Sequence, residues 1–277
     1  MMFEVLEKKM VVPNLHLLRI SAPEIVEQIK PGQFVIVRSD KDSERIPMSV
    51  ADWDTEDGSL TIIFMEVGRS TGKLAELRQG DSIPTVVGPL GKPTEIENFG
   101  TVLCIGGCYG IGSLFPVIRG LKQKGNDVIA VMEARSHYLL YWEDKIKPFC
   151  SRLVSITRDG SRGSKGHVNK INEIIRDNNI KLNRVFVNGC TYLLYKSSED
   201  LKYLDIPIIV SLNPIMIDGT GMCGVCRVTV NGEMKFACVD GPEFDGRLVD
   251  WNEFSKRRKQ YMNEEAYLVH NSGCCGR

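Results

Sequence analysis

The chain has 277 residues, with 35 Lys and Arg balancing 35 Asp and Glu, and 43% of it is hydrophobic. That length buries a substantial core and accommodates two domains or more. A neutral net charge without a basic stripe argues against nucleic-acid binding, and no apolar run approaches the roughly 18 residues of a membrane span.

The opening MMFEVLEKKMVV lacks the apolar core and small-residue cleavage site of a secretory signal. Nine cysteines without such a signal point to a reducing, cytoplasmic setting. There, clustered cysteines bind metal or do redox work more often than they form disulfides. Residues 1–98 read as short strands at 11–20, 33–38, 60–67 and 82–87. Turn signals at Pro31-Gly32, Asp57-Gly58 and Gly88-Pro89 divide them. This rhythm predicts an antiparallel β-barrel. Within it, RIPMS sets Arg45 and Ser49 on either side of Pro47, where they can meet a pyrophosphate and a flavin ring. In GRSTGKL, Gly68, Ser70 and Thr71 open a helix whose N-terminus suits a phosphate. An ordinary helix start capped by Ser70 or Thr71 is the plainer alternative.

At residue 99 the rhythm changes to strand alternating with helix, the pattern of a parallel α/β sheet running to 213. Strands are expected at 101–105, 127–132, 153–157, 184–188 and 207–211. Helices are expected after Gly112, near 142–149 and near 170–178. GGCYGIG follows the first of these strands. Gly106, Gly107, Gly110 and Gly112 there resemble a dinucleotide turn that lets backbone approach a pyrophosphate. Glu133, after the second strand, is the nearest acidic candidate for a ribose.

Residues 214–250 are expected to form a small iron–sulfur domain, and 251–277 a polar helical tail. DGTGMCGVCRVTVNGEMKFAC contains Cys223, Cys226 and Cys238. Plant-type 2Fe-2S proteins use the spacing C-x4-C-x2-C…C. Counting back from Cys223, the first position is Asp218, an anionic oxygen in place of an anionic sulfur. The expected ligands are therefore Asp218, Cys223, Cys226 and Cys238, with Gly219, Gly221 and Gly224 allowing the loop to fold tightly. Two other readings use the same residues. One is a structural zinc held by three thiolates and a carboxylate. The other makes Asp218 a turn residue and takes the fourth ligand from water or a partner.

In order, PGQF (31–34), RIPMS, GPLGKP (88–93), SLNPIMIDGTGMCGVCRVTV (211–230) and FACVDGPEFDG (236–246) resemble the ferredoxin–NADP reductase superfamily with a C-terminal 2Fe-2S domain. The resemblance is greatest to the small flavoprotein subunits of NADH-dependent ferredoxin:NADP oxidoreductases. Dihydroorotate dehydrogenase electron-transfer subunits are near relatives. The resemblance implies a multi-domain fold with FAD on the barrel, Arg45, Pro47 and Ser49 facing the flavin, and Gly68, Ser70 and Thr71 facing its phosphates. It implies NAD(H) at Gly106, Gly107, Gly110 and Gly112, and a 2Fe-2S cluster passing single electrons to a larger iron–sulfur flavoprotein subunit.

The expected role is an NAD(P)H-dependent oxidoreductase subunit of an electron-bifurcating hetero-oligomer, with no catalytic acid or base. A non-enzymatic electron-transfer subunit with an impaired nucleotide site is the alternative. Three departures from the family lie in the nucleotide region: Cys108 in place of a third glycine, Glu133-Ala134-Arg135 in place of a GAR-like triplet, and Asn188-Gly189-Cys190 without the usual Pro and Met. Arg158, Arg162 and Lys165 either receive an adenosine 2′-phosphate or form a solvated basic loop. The terminal HNSGCCGR (270–277) reads as a segment that docks on a partner; a metal site of His270, Cys274 and Cys275 completed by a partner, and a mobile tail with two exposed thiols, are the alternatives.

Overall fold

The computed structural model describes residues 2–177 and 180–261, so the expected docking segment at 270–277 lies outside the described residues. The first part contains β1 (Phe3–Val12), β2 (Leu15–Ser21), α1 (Pro23–Val26), β3 (Phe34–Arg38), β4 (Ile46–Asp54), β5 (Ser59–Met65), α2 (Arg69–Glu76), β6 (Ser82–Ile83) and β7 (Thr85–Leu90). Its strands pair antiparallel in the order β6-β1-β2-β5-β4-β3-β7. The two edge strands are joined through Pro84 alone. The sheet must therefore curl round on itself, giving the nearly closed barrel expected from the strand rhythm. Alternation along β3 sends Val35 and Val37 into the barrel core, while Phe34 and Ile36 face outward into a second core.

The second part runs β8 (Thr101–Gly107), α3 (Gly110–Gln123), β9 (Asp127–Ala134), α4 (Glu143–Ile146), β10 (Arg152–Thr157), β11 (Ser164–Lys165), α5 (Lys170–Asp177), β12 (Arg184–Asn188), α6 (Thr191–Leu201) and β13 (Ile208–Ser211). A hairpin follows, β14 (Arg227–Val230) and β15 (Glu233–Phe236), turning at Asn231-Gly232 as its sequence predicts. Then come β16 (Glu243–Asp245) and α7 (Trp251–Arg258). The large sheet has the order β11-β10-β9-β8-β12-β13-β16, parallel throughout except for β16, which returns antiparallel on β13. The segment bearing the cysteines is thereby stitched to the α/β sheet at its far end. The helix expected at 142–149 is cut to a single turn, α4, followed by a 3-10 turn at Lys147–Phe149. Trp142 enters it in the left-handed conformation, and Pro148 has no amide to continue it.

Barrel and sheet share their cores. Leu17, Ala51 and Ile63 of the barrel pack with Leu114 and Phe115 of α3. Phe34 and Ile36 pack with Cys226, Val228 and Cys238. Beside the first contact, Asp52 of β4 accepts from Arg119 Nη1 at 2.8 Å and Lys145 Nζ at 2.5 Å. Arg119 stacks over Trp53 and Lys145 over Trp142, 5.1 and 4.1 Å from the ring centres.

The start of α3 is the tightest point. A Cβ on Gly110 would fall inside the backbone of Asn188 and Gly189, and one on Gly112 would lie 2.7 Å from Ile63 Cδ1. Gly110→Ala should therefore destabilise the protein by about 3 kcal/mol, because the obstacle is backbone and cannot rotate away. Thermal melting should show a clear drop in midpoint. An unchanged midpoint would mean that this close approach does not fix the helix.

Candidate functional site

In an open α/β sheet, ligands bind beyond the carboxyl ends of the strands where the strand order reverses. Here that switch lies between β8 and β12, where Gly106 pairs with Asn188. Sequence reasoning assigned the turn's four glycines to a pyrophosphate. In the structure all four are buried, and their bare α-carbons are matched by protein atoms. A Cβ on Gly107 would lie 2.7 Å from Leu193 Cδ2, and one on Gly106 would lie 3.1 Å from the Ile111 backbone. The amides of Ile111, Gly112 and Ser113 already donate to Cys108 O, Tyr141 Oη and Tyr109 O.

Two residues of this turn are only partly buried, Cys108 and Tyr109. Cys108 takes a conformation that favours glycine, with φ of +54°. The Tyr141 hydroxyl donates to its carbonyl at 3.0 Å. The Tyr109 hydroxyl spans the crevice, donating to Gly189 O at 3.0 Å and accepting from Asn213 Nδ2 at 2.7 Å. Thr191 Oγ1 fixes the other end of that amide at 3.0 Å. Burial pushes the Tyr109 phenol up to about 12, so it remains a donor at neutral pH. Sequence reasoning missed Tyr109 and Asn213. Cys190, at the mouth of α6, is exposed.

On the same rim, Glu133 is the last residue but one of β9, with only 5% of its surface exposed. Its Oε1 lies 3.1 Å from His167 Nδ1 and 3.6 Å from Arg158 Nε. Its Oε2 is buried without a hydrogen-bond partner among the described residues. Burial raises its carboxyl to about 7, against the pull of Arg158. Two of the three basic candidates for a 2′-phosphate are thus held by carboxylates, Arg158 by Glu133 and Arg162 by Glu143 at 2.7 Å.

Across the barrel, Pro47 and Ser49 alternate with buried Met48 and Val50 and present themselves on the outer side of β4, and Arg45, exposed, immediately precedes the strand. Pro47 pairs with Ile36 and Ser49 with Phe34. Helix α2 is capped by Gly68 rather than by a hydroxyl. Thr71 sits three residues in, where its Oγ1 accepts from the amides of Val67 and Gly68 at 3.0 Å. Ser70 is half-buried, and space beside the Gly68 α-carbon is open.

The cysteine loop is tight, with Gly219, Gly221 and Gly224 all in the left-handed region. Cys226 and Cys238 are buried with their sulfurs 3.2 Å apart, while Cys223 is exposed. Asp218 accepts from Thr220 N at 2.9 Å and Cys223 N at 2.7 Å. The Thr220 amide foremost, and that of Cys223, hold its carboxyl below the usual range. Asp218 is therefore an anion, as a ligand must be, and each oxygen keeps a lone pair. Among the described residues these groups do not form a closed set of three or more metal ligands. The donor chemistry nevertheless fits an iron–sulfur cluster: Asp218, Cys223 and Cys226 lie on one loop, Cys238 follows the β14–β15 hairpin with its sulfur beside that of Cys226, and the loop seats Gly219 against Ile36 and Leu90 of the barrel.

Residues 213–250 match the iron-sulfur cluster binding domain of dihydroorotate dehydrogenase B. The chain is 42% identical over 263 residues to the Thermotoga maritima homologue of the dihydroorotate dehydrogenase B (NAD(+)) electron transfer subunit, covering 95% of this chain and 92% of that one. It belongs to the family of dihydroorotate dehydrogenase B electron-transfer subunits and their homologues. The family's Bacillus caldolyticus member is 28% identical over 87% of this chain and 94% of its own. A chain in a solved structure of NADH-dependent reduced ferredoxin-NADP oxidoreductase superposes with a TM-score of 0.92. It is 40% identical, and the match covers 98% of this chain and 97% of that one. A ferredoxin NADP+ reductase from Neisseria gonorrhoeae, 17% identical with a TM-score of 0.59 over 74% of this chain and 91% of its own, shares the fold.

In this family member Glu133 makes stability depend on pH. Its folded value of about 7 lies above the ordinary 4.5, so the native state keeps the proton longer than the unfolded one. Stability therefore falls as pH rises from about 4.5 to about 7, by about 3 kcal/mol in total. Glu133→Gln should remove that fall and be the more stable form at about pH 8. Urea unfolding across this range checks it, and parallel profiles for the two proteins would refute it.

Proposed function

We propose that the chain is the electron-transfer subunit of a cytoplasmic, hetero-oligomeric, NAD(P)H-dependent oxidoreductase of the electron-bifurcating, NADH-dependent ferredoxin–NADP type. It moves electrons between NAD(H), FAD and a 2Fe-2S cluster and delivers them to a larger iron–sulfur flavoprotein partner. The observation carrying this reading is the seating of the cysteine loop. A Cβ on Gly219 would lie 3.0 Å from Ile36 Cγ1, and Ile36 pairs directly with Pro47 of the flavin face. One pair of strands therefore separates the two redox sites.

Asp218, Cys223, Cys226 and Cys238 would hold the cluster. Arg45, Pro47 and Ser49 would face the flavin, and Gly68, Ser70 and Thr71 its phosphates. Gly106, Gly107, Gly110 and Gly112 would shape the nucleotide turn, with Tyr109 and Asn213 offering polar groups at the crevice. When bound, FAD supplies two-electron exchange with a nicotinamide and one-electron exchange with the cluster. The chain's own part is to orient these groups and exclude water, and no proton transfer by a side chain is required.

A second reading, electron transfer without nucleotide use, is favoured by one observation: the protein fills much of the space around the four turn glycines. An anaerobic absorption spectrum separates the two. Flavin and cluster bands that bleach on adding NADH support the first reading, and bands that persist select the second. Cys226→Ser should lose the cluster absorption while retaining FAD, because the sites lie on separate segments. Iron and flavin assays check this, and full iron content in the variant would remove Cys226 from the ligand set.

A further inference from the structure

Two arginines hold the outside of the cysteine loop. Arg227, at the start of β14, donates from Nη1 to Gly224 O at 3.1 Å. Arg257, in the last turn of α7, donates from Nη2 to Val225 O at 2.9 Å. The two side chains come from different elements and grip consecutive carbonyls between Cys223 and Cys226.

Helix α7 is itself fixed. Asp250 caps it, accepting from the amides of Asn252 and Glu253 at 3.0 and 2.9 Å. Trp251 Nε1 donates to Gly246 O at 2.8 Å, and Phe254 is buried. Phe254 and Arg257 are three apart and share a face. The guanidinium is thus delivered to the loop from a rigid base.

The geometry has a consequence for the other side of the loop. In a trans peptide the N–H points opposite to the C=O. Gly224 O shares its peptide with the Val225 amide, and Val225 O shares its peptide with the Cys226 amide. Gly224 O also accepts from Arg227 N at 3.4 Å, closing a turn, and each carbonyl held by an arginine turns the amide of its own peptide away from that arginine. Among the described residues no backbone oxygen accepts from either amide. Hydrogen bonds to sulfur and nearby positive charge both favour the reduced form of an iron–sulfur cluster.

We propose that Arg257 and Arg227 are positioning residues that orient the Val225 and Cys226 amides toward the cluster sulfurs and, with their charge, raise its reduction potential. This rests on the cluster assignment made above.

The test uses the full chain as wild type, Arg257→Met, Arg257→Lys and Arg227→Met. Each is assayed for iron and flavin, and its cluster is titrated by spectroelectrochemistry with electron paramagnetic resonance. Both methionine variants should shift the cluster midpoint to lower potential, leaving flavin content and flavin potential unchanged. Arg257→Lys keeps a positive donor and should titrate close to wild type. If Arg257→Met cannot retain the cluster, Arg227→Met supplies the measurement through the neighbouring carbonyl. Wild-type potentials in the methionine variants would overturn the proposal while leaving the cluster assignment intact. So would equal shifts in Arg257→Met and Arg257→Lys. A wild-type protein without 2Fe-2S absorption would overturn the functional reading and this proposal together.

Discussion

Helix α3 reaches its seat because Gly110 and Gly112 have no side chains. Gly110 lies against the backbone where β12 ends, and Gly112 lies against Ile63 and Ala51 of the barrel. One helix start therefore fixes the sheet and the barrel at once. The Tyr141 hydroxyl completes the joint, accepting from Gly112 N and donating to Cys108 O. Behind it runs a core that continues from Leu17 and Ile63 into Leu114, Phe115 and Val128. Each such side chain contributes roughly 1.5–3 kcal/mol by burial, whereas exposed ion pairs contribute about 0–1 kcal/mol each. Apolar packing thus decides the arrangement, and the Asp52 contacts to Arg119 and Lys145 refine it.

The same logic governs the cysteine loop. A redox site needs fixed distances, and a loop of small residues cannot supply them by itself. The support comes from beneath, where Cys226 and Cys238 belong to a buried core with Phe34, Ile36 and Val228. Strand β16 holds the segment to β13, and α7 closes over it through Trp251 and Phe254. Cys223 remains on the exposed side. The loop consequently has an inner edge continuous with the barrel and an outer edge open to solvent.

Much of this was legible in the sequence because it is periodic. Alternating residues and turn dipeptides identify the barrel strands, and strands alternating with helices identify the parallel sheet. Features without a period were not legible. Strand β16 has three residues, Glu243, Phe244 and Asp245, and only its pairing with β13 makes it a strand. Closure of the barrel through Pro84 depends on which strands become edges. Helix α4 is shortened by Trp142 and Pro148, which override helical spacing. In the site, glycine in a sequence signals close approach without saying what approaches. Around the glycines of the 106–112 turn, an added Cβ would meet Asn188, Leu193, Ile111 and Ile63, none of which the glycine pattern itself names. Tyr109 lies in GGCYGIG and Asn213 in SLNPIMIDGTGMCGVCRVTV, but neither stretch says that the two meet, and 104 residues separate them in sequence. Only the fold brings them together.

Cys108 shows how a residue with a side chain can occupy a backbone conformation that favours glycine. A cysteine at φ of +54° costs roughly 1–2 kcal/mol relative to glycine, so something must hold the turn in place. Its carbonyl is held by the Tyr141 hydroxyl. Its sulfur lies 2.9 Å from Met65 Sδ at the end of β5, a contact that glycine cannot make. The cysteine thereby keeps the backbone course of a glycine turn and adds a side-chain tie to the barrel. The crevice rim is fixed relative to the barrel by α3, with this contact beside it. That rigidity suits a protein whose chemistry resides in its cofactors, because the chain's contribution is to hold them at constant separation.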